Sequence, residues 1–237
     1  MKRLLVVSVY APGTWRLYQW QSWFLSRTTS DYDHVVFAPK KPPFDCNWMR
    51  SPSGKHVPGM QLAGKFMGEK ADAYQSMCIL DSDAFPVRKD WQATLDAAIP
   101  SKGKTFASPV RVENYDFFPH VSFIYGKSAD VLRLREHLRY GRGQGVAKPS
   151  IMDVGASLPM RNCLALLKSN SWSPHFRWHS VYADMVYHMG AGSRRMKGGR
   201  RGTAVWSQLV PGAPVAFSHE PNPEFINRLV GEERFHD

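Results

Sequence analysis

Apolar residues along this chain gather into short unbroken runs, most of which stop at a turn residue or an acid. Leu4 to Val9 is such a run, without the polar alternation of a half-exposed strand. It reads as a strand buried on both faces, the habit of parallel sheets. Val35 to Ala38, Met77 to Leu80, Phe106 to Pro109 and Val121 to Tyr125 read the same way. Between them the spacing turns helical. Trp15, Tyr18, Trp20, Trp23 and Phe24 predict a short helix to Ser26, Pro58 opens one running to Ala73, and Trp91 to Ile99 forms another with Asp90 as N-cap. Ser128 caps a basic helix from Ala129 to Leu138, and Ala156 to Lys168 predicts an amphipathic helix. Val181 to Tyr187 reads as a strand and Phe225 to Val230 as a short terminal helix. Residues 39–59, rich in Pro, Gly, Lys and Asn, read as one long loop, a feature that is usually functional. Strands alternate with helices through roughly the first 130 residues, which predicts an α/β fold with a mostly parallel central sheet and flanking helices. The remainder reads as a less regular lobe built against that sheet.

One run ends unusually. Met77 to Leu80 stops at Asp81-Ser82-Asp83, two acids separated by one small residue. Carboxylates at the end of a buried strand need a compensating charge. Two at this spacing can hold a divalent cation against a diphosphate, and hard oxygen ligands suit Mg²⁺ or Mn²⁺ rather than zinc. Open α/β sheets bind ligands beyond the carboxyl ends of their strands, where this pair falls. A second segment has complementary chemistry. His188 closes a strand-like stretch and is followed by Gly190, Ser193, Arg194 and Lys197 in a glycine-rich basic loop. Such a loop can cradle phosphates, with His188 as a third metal ligand. The Gly-x-x-x-x-Gly-Lys order of a P-loop is absent.

Taken together, the two segments resemble the metal-dependent glycosyltransferases of the GT-A fold. The Asp-x-Asp motif of that family corresponds to Asp81-Ser82-Asp83, and its C-terminal metal-binding histidine to His188. The resemblance implies a single GT-A-like domain over 1–237, with 1–130 as the nucleotide-sugar-binding half and 131–237 as the acceptor-side and diphosphate-binding half. It also implies Mn²⁺ or Mg²⁺ and a nucleotide-sugar donor, a UDP-sugar first among them. The base would lie at the end of the first strand, beside Val9, Tyr10 and Ala11, where Tyr10 either stacks on uracil or packs as a core aromatic.

For an inverting reaction the chain needs a general base within hydrogen-bond reach of the acceptor hydroxyl. Asp153, ahead of the Ala156 helix, is the first candidate, and its alternative role is a helix cap. Glu113 and Asp116 are weaker ones, and a retaining reaction needs none of them as a base. Acceptor contacts are expected from Trp48 and Arg50 in the long loop, and from Trp172, His175, Arg177 and Trp178. Trp faces stack on sugars and on unpaired bases alike.

Charge widens the question of partners. Thirty-one Lys and Arg against twenty Asp and Glu give a net charge of +11, which favours an anionic partner. A DNA base bearing a hydroxyl or hydroxymethyl group, as in phages that decorate their own DNA, ranks slightly ahead of a cell-surface glycan or lipid-linked acceptor. A nucleotidyltransferase and a non-enzymatic nucleic-acid-binding module remain rival readings. The first wants a third carboxylate and a phosphate loop near the first strand; the second needs neither acid. Cys46, Cys78 and Cys163 form no Cys-x-x-Cys pair, which suits a reducing compartment and excludes a zinc-knuckle spacing. The segment Met1 to Pro12 reads as a first strand rather than a leader, and no run reaches the length of a membrane span. The expected location is the cytoplasm, of the cell or of an infected host.

Overall fold

The computed structural model describes residues 2–11, 14–52, 56–112, 118–142, 152–171 and 180–188. Its centre is a sheet whose first strand, β1 (Lys2–Val9), lies between β2 (Tyr32–Ala38) and β4 (Tyr74–Asp81), parallel to both. β3 (Asn47–Arg50) extends the sheet beyond β2, also parallel. On the other side come β7 (Phe123–Lys127), β6 (Phe106–Pro109) and β10 (Cys163–Leu166), giving the order β10-β6-β7-β4-β1-β2-β3. Among the described strands of this sheet β7 alone runs antiparallel to its neighbours, β4 and β6. This is a GT-A-like, Rossmann-like arrangement, as the sequence predicts.

Alternation along the buried strands assigns each face its helix. Leu5, Val7 and Val9 pack with Met60, Ala63 and Met67 of α2 (His56–Lys70). Leu4 and Val6 turn the other way, toward Leu25 of α1 (Trp15–Thr28) and Trp91, Leu95 and Ile99 of α3 (Trp91–Ser101). α2 approaches β1 closely because residue 59 is glycine: a Cβ there would stand 2.4 Å from Val9 Cγ1. The register aligns the strand ends. Val9 pairs with Phe37 on one side and Asp81 on the other, so the carboxyl ends of β1, β2 and β4 share one rim.

A second sheet stands at that rim. β5 (Ala84–Pro86) follows the Ser82-Asp83 turn and pairs with β13 (Val186–His188), which continues through β12 (Ser180–Tyr182) to β11 (Lys168–Ser171). Two short strands, β8 (Tyr140–Arg142) and β9 (Met152–Val154), form a separate ladder. No helix among the described residues is long and apolar enough to cross a membrane.

Several local expectations are corrected. Residues 156–168 are not a helix: a turn and a 3-10 segment at Met160–Asn162 lead directly into β10. Cys163, Leu164, Ala165 and Leu166 satisfy their backbone groups against β6, and this pairing overrides the amphipathic spacing. The expected strand Val181 to Tyr187 is a hairpin, broken by positive φ at Ala183 and Asp184. The long loop contains β3 and ends where α2 starts at His56. α4 (Ser128–Arg133) is shorter than predicted, and Ser128 Oγ donates to the Tyr74 carbonyl (2.7 Å) instead of capping. Asp90 holds the N-cap position of α3, but its carboxylate is paired with Arg88. The predicted helix at 225–230 lies outside the described residues.

Candidate metal centre

Two strand ends and the approach to a third strand deliver the ligand-bearing residues to the shared rim. Asp81 is the last residue of β4; its N–H donates to the Ser122 carbonyl (3.0 Å), which ties it to the approach of β7. His120 lies on that approach, fixed by its own N–H to the Pro109 carbonyl (2.9 Å) and by Ser108 Oγ donating to the His120 carbonyl (2.9 Å). His188 closes β13 and pairs with Ala84, one residue past the Ser82-Asp83 turn. The ligand atoms of Asp81, His120 and His188 all fall within 4.8 Å of one another.

The surroundings orient this group. His56 Nε2, at the first residue of α2, is 2.8 Å from Asp81 Oδ1. Asp83 is buried, with its Oδ1 3.6 Å from His188 Nε2. The His120 and His188 rings lie with centroids 5.3 Å apart, tilted by 43°. The Ser122 N–H donates to His120 Nδ1 (3.2 Å), so in the neutral ring Nε2 carries the proton. A neutral His120 takes a cation only by giving up the Ser122 bond, either directly at Nδ1 or at Nε2 once its proton has moved to Nδ1.

The donor set fits a divalent cation: one carboxylate and two imidazoles converge at the rim. The expected set is two carboxylates and one imidazole, and the observed group has one carboxylate and two imidazoles. Two imidazoles move the preference from Mg²⁺ toward first-row transition ions. Of the three expected ligands, Asp81 and His188 come together, while Asp83 stands beside His188 outside the group. His120 was missed. It precedes a predicted strand with no second ligand in local spacing, and only the antiparallel direction of β7 brings it to Asp81.

The remaining predicted residues are placed as follows. Tyr10 is buried at 1% exposure, and its hydroxyl donates to Gln21 Oε1 (2.8 Å). Burial raises its pKa well above the ordinary value, with the charges of Tyr18 and Asp83 adding to the effect. The ring is therefore packed, edge-on to Tyr18, rather than open to a base. Val9 and Ser82 are buried, whereas Ala11 is half-buried. Trp48 and Arg50 lie on β3, three strand spacings from β4, or about 14 Å. Trp48 Nε1 donates to the Ala38 carbonyl (3.1 Å), and Arg50 is exposed. Asp153 sits in β9 opposite Gly141, not at a helix start. Glu113, Asp116, Trp172, His175, Arg177, Trp178, Gly190, Ser193, Arg194 and Lys197 lie outside the described residues.

The sequence matches no family model and no curated protein. Among solved structures, A197 from STIV matches at 14% identity over 79% of this chain and 94% of that one, with a TM-score of 0.41. A glycosyltransferase involved in the glycosylation of the major capsid of PBCV-1 matches at 10% identity over 56% of this chain and 63% of that one, TM-score 0.37. A Desulfovibrio desulfuricans G20 protein assigned by name to the nucleotide-diphospho-sugar transferases matches at 12% identity, covering 70% and 80%, TM-score 0.41. At these scores the matches carry no weight for function, and the fold assignment rests on the strand order and directions described above.

Proposed function

We propose that this chain is a metal-dependent glycosyltransferase that moves a sugar from a nucleotide-sugar, a UDP-sugar first among candidates, to an acceptor hydroxyl. The observation that carries the reading is the convergence of Asp81, His120 and His188 at the carboxyl rim of a GT-A-like sheet. Residues 1–130 would form the donor-binding half and residues 131–237 the acceptor side and diphosphate cradle.

Asp81, His120 and His188 would hold the cation, with His56 fixing one face of the Asp81 carboxylate and Asp83 facing His188. A bound cation supplies neutralisation of the charge that develops on the leaving diphosphate. Mn²⁺ suits this nitrogen-containing set better than Mg²⁺. The protein's own part is orientation: these side chains come from buried strand ends and are held by backbone bonds. In the proposed reaction the acceptor oxygen forms a bond to the anomeric carbon while the bond to the diphosphate oxygen breaks. The hydroxyl proton passes to a carboxylate if the outcome is inversion, and Asp153, Glu113 and Asp116 remain the candidates. Gly190, Ser193, Arg194 and Lys197 are proposed to meet the phosphates.

The acceptor is proposed to be anionic, in keeping with the net charge of +11. A hydroxylated or hydroxymethylated DNA base is the first choice, and a surface glycan or lipid-linked acceptor the second. The test is calorimetric titration of UDP with and without Mn²⁺, using Asp81→Ala and His188→Ala as controls. Binding that requires the metal and both side chains supports the reading. UDP binding indifferent to metal and to both variants overturns it, and a basic nucleic-acid-binding module then becomes the better account.

A further inference from the structure

Beneath the Asp81 rim lies a fully bonded carboxamide. Gln21, on α1, is completely buried, with no exposed surface. Its Oε1 accepts from Ser8 Oγ (2.7 Å) and from the Tyr10 hydroxyl (2.8 Å). Its Nε2 donates to the Asp81 carbonyl (2.8 Å) and the Ala84 carbonyl (2.7 Å). A glutamine amide has two donors and two acceptor sites, and all four are used. The partners also fix which way round the amide lies. Reversed, its oxygen would face two carbonyls, and neither could donate. Ser8 Oγ, having given its proton to Gln21, accepts from His34 Nε2 (3.0 Å), so donor direction is consistent along the chain of bonds from β2 to the turn.

The two carbonyls that Gln21 grips are not arbitrary. Asp81 and Ala84 are the two ends of the Ser82-Asp83 turn, where β4 hands over to β5. Asp81 contributes a carboxylate to the metal group, and Ala84 pairs with His188, a second member. One side chain therefore sets the spacing of the turn on which both depend. Resting on the metal-site reading above, we propose that Gln21 is a positioning residue that holds the Asp81–Ala84 turn in its cation-binding shape. It acts from its amide donors, while the bonds to Oε1 anchor the amide itself. Glutamate at this position would set a carboxylate oxygen against two carbonyls.

The experiment is Mn²⁺ titration, followed by calorimetry and by the electron paramagnetic resonance of free Mn²⁺. The proteins compared are the wild type, Gln21→Leu, Gln21→Glu and Ser8→Ala, each well below its melting temperature and with its circular dichroism matched to the wild type. Groups that orient metal ligands typically carry about 10- to 100-fold in metal affinity. Gln21→Leu and Gln21→Glu are expected to weaken Mn²⁺ by about ten-fold or more. Ser8→Ala removes one bond to Gln21 Oε1 and the bond from His34 but leaves both amide donors of Gln21 in place, and is expected to lower the melting temperature while leaving Mn²⁺ affinity within about two-fold. Gln21→Glu keeps the acceptor for both hydroxyls, and so serves if the leucine variant does not fold. Wild-type-like affinity in a folded Gln21 variant overturns the positioning role while leaving the metal site intact. Failure of the wild type to bind Mn²⁺ overturns both.

Discussion

The His56 imidazole bridges the start of α2 and the end of β4, standing 2.8 Å from one carboxylate oxygen of Asp81. The ring is one-third exposed and the carboxylate less so, at 33% and 17%. This contact leaves the other carboxylate oxygen for a cation. Replacing His56 by Ala is expected to weaken Mn²⁺ binding about ten-fold, because the carboxylate then loses its orientation. His56→Gln, which keeps a donor, should recover part of it. Calorimetry decides: tighter binding in His56→Ala would show that His56 competes with the cation instead.

Gly59 tests the same junction through the backbone. A methyl group there meets Val9 Cγ1 at 2.4 Å, inside any tolerable contact, within the first turn of α2. Gly59→Ala should destabilise the fold by about 1–3 kcal/mol, the usual range for overpacking. For a chain of this size that lowers the melting temperature by about 2–4 °C per kcal/mol. His56 is three residues upstream, so Mn²⁺ affinity should fall with it.

Acid should loosen the scaffold through His34. Burial lowers its pKa from 6.5 to about 4, so the native ring stays neutral while the unfolded ring takes a proton. The unfolded state then binds more protons between pH 6.5 and pH 4, and stability falls as the pH drops through that window. The ring is half-buried, and screening by solvent limits the loss to about 1–2 kcal/mol. Denaturant melts at pH 7 and pH 4.5 should differ by this amount, and His34→Gln should shrink the difference.

Trp91 anchors the opposite face. It is 1% exposed, donates from Nε1 to Thr29 Oγ1 (3.1 Å), and meets Phe123 and Tyr125 edge-on at 5.6 and 4.9 Å. Trp91→Ala is expected to cost about 3–5 kcal/mol, the range for deleting a buried aromatic. Trp91→Phe keeps a ring and loses the hydrogen bond, so chemical denaturation should place it between the two. Metal affinity measured on the folded fraction should be unchanged.

The buried strands were legible because each runs apolar on both faces, and Leu4 to Val9 permits almost no other reading. Asp81 was legible for the same reason: an acid ending such a run stands out. His188 was found from the glycines and basic residues after it. His120 had no such signature, since its role depends on β7 running opposite to β4. Gln21 looked like any polar residue on an aromatic helix, and only the spatial neighbourhood of Ser8, Tyr10 and the Asp81 turn reveals its bonds. Cys163 to Leu166 misled because an edge strand and a helix turn look alike over four residues. Pairing with β6 decides between them.

The reversed direction of β7 has a consequence for how such a rim can change. Asp81 reaches it at the exit of a buried strand, so its position is locked to the register of β4 against β1. His120 reaches it at the entrance to a strand, upstream of the first paired residue, Phe123. His120 is itself held by the Val110–Pro119 bridge and by its N–H to the Pro109 carbonyl, so a length change upstream of Phe118 leaves it opposite Asp81. The two sides of the centre answer to different parts of the sheet, one to the register of β4 on β1 and the other to the bridge with the end of β6.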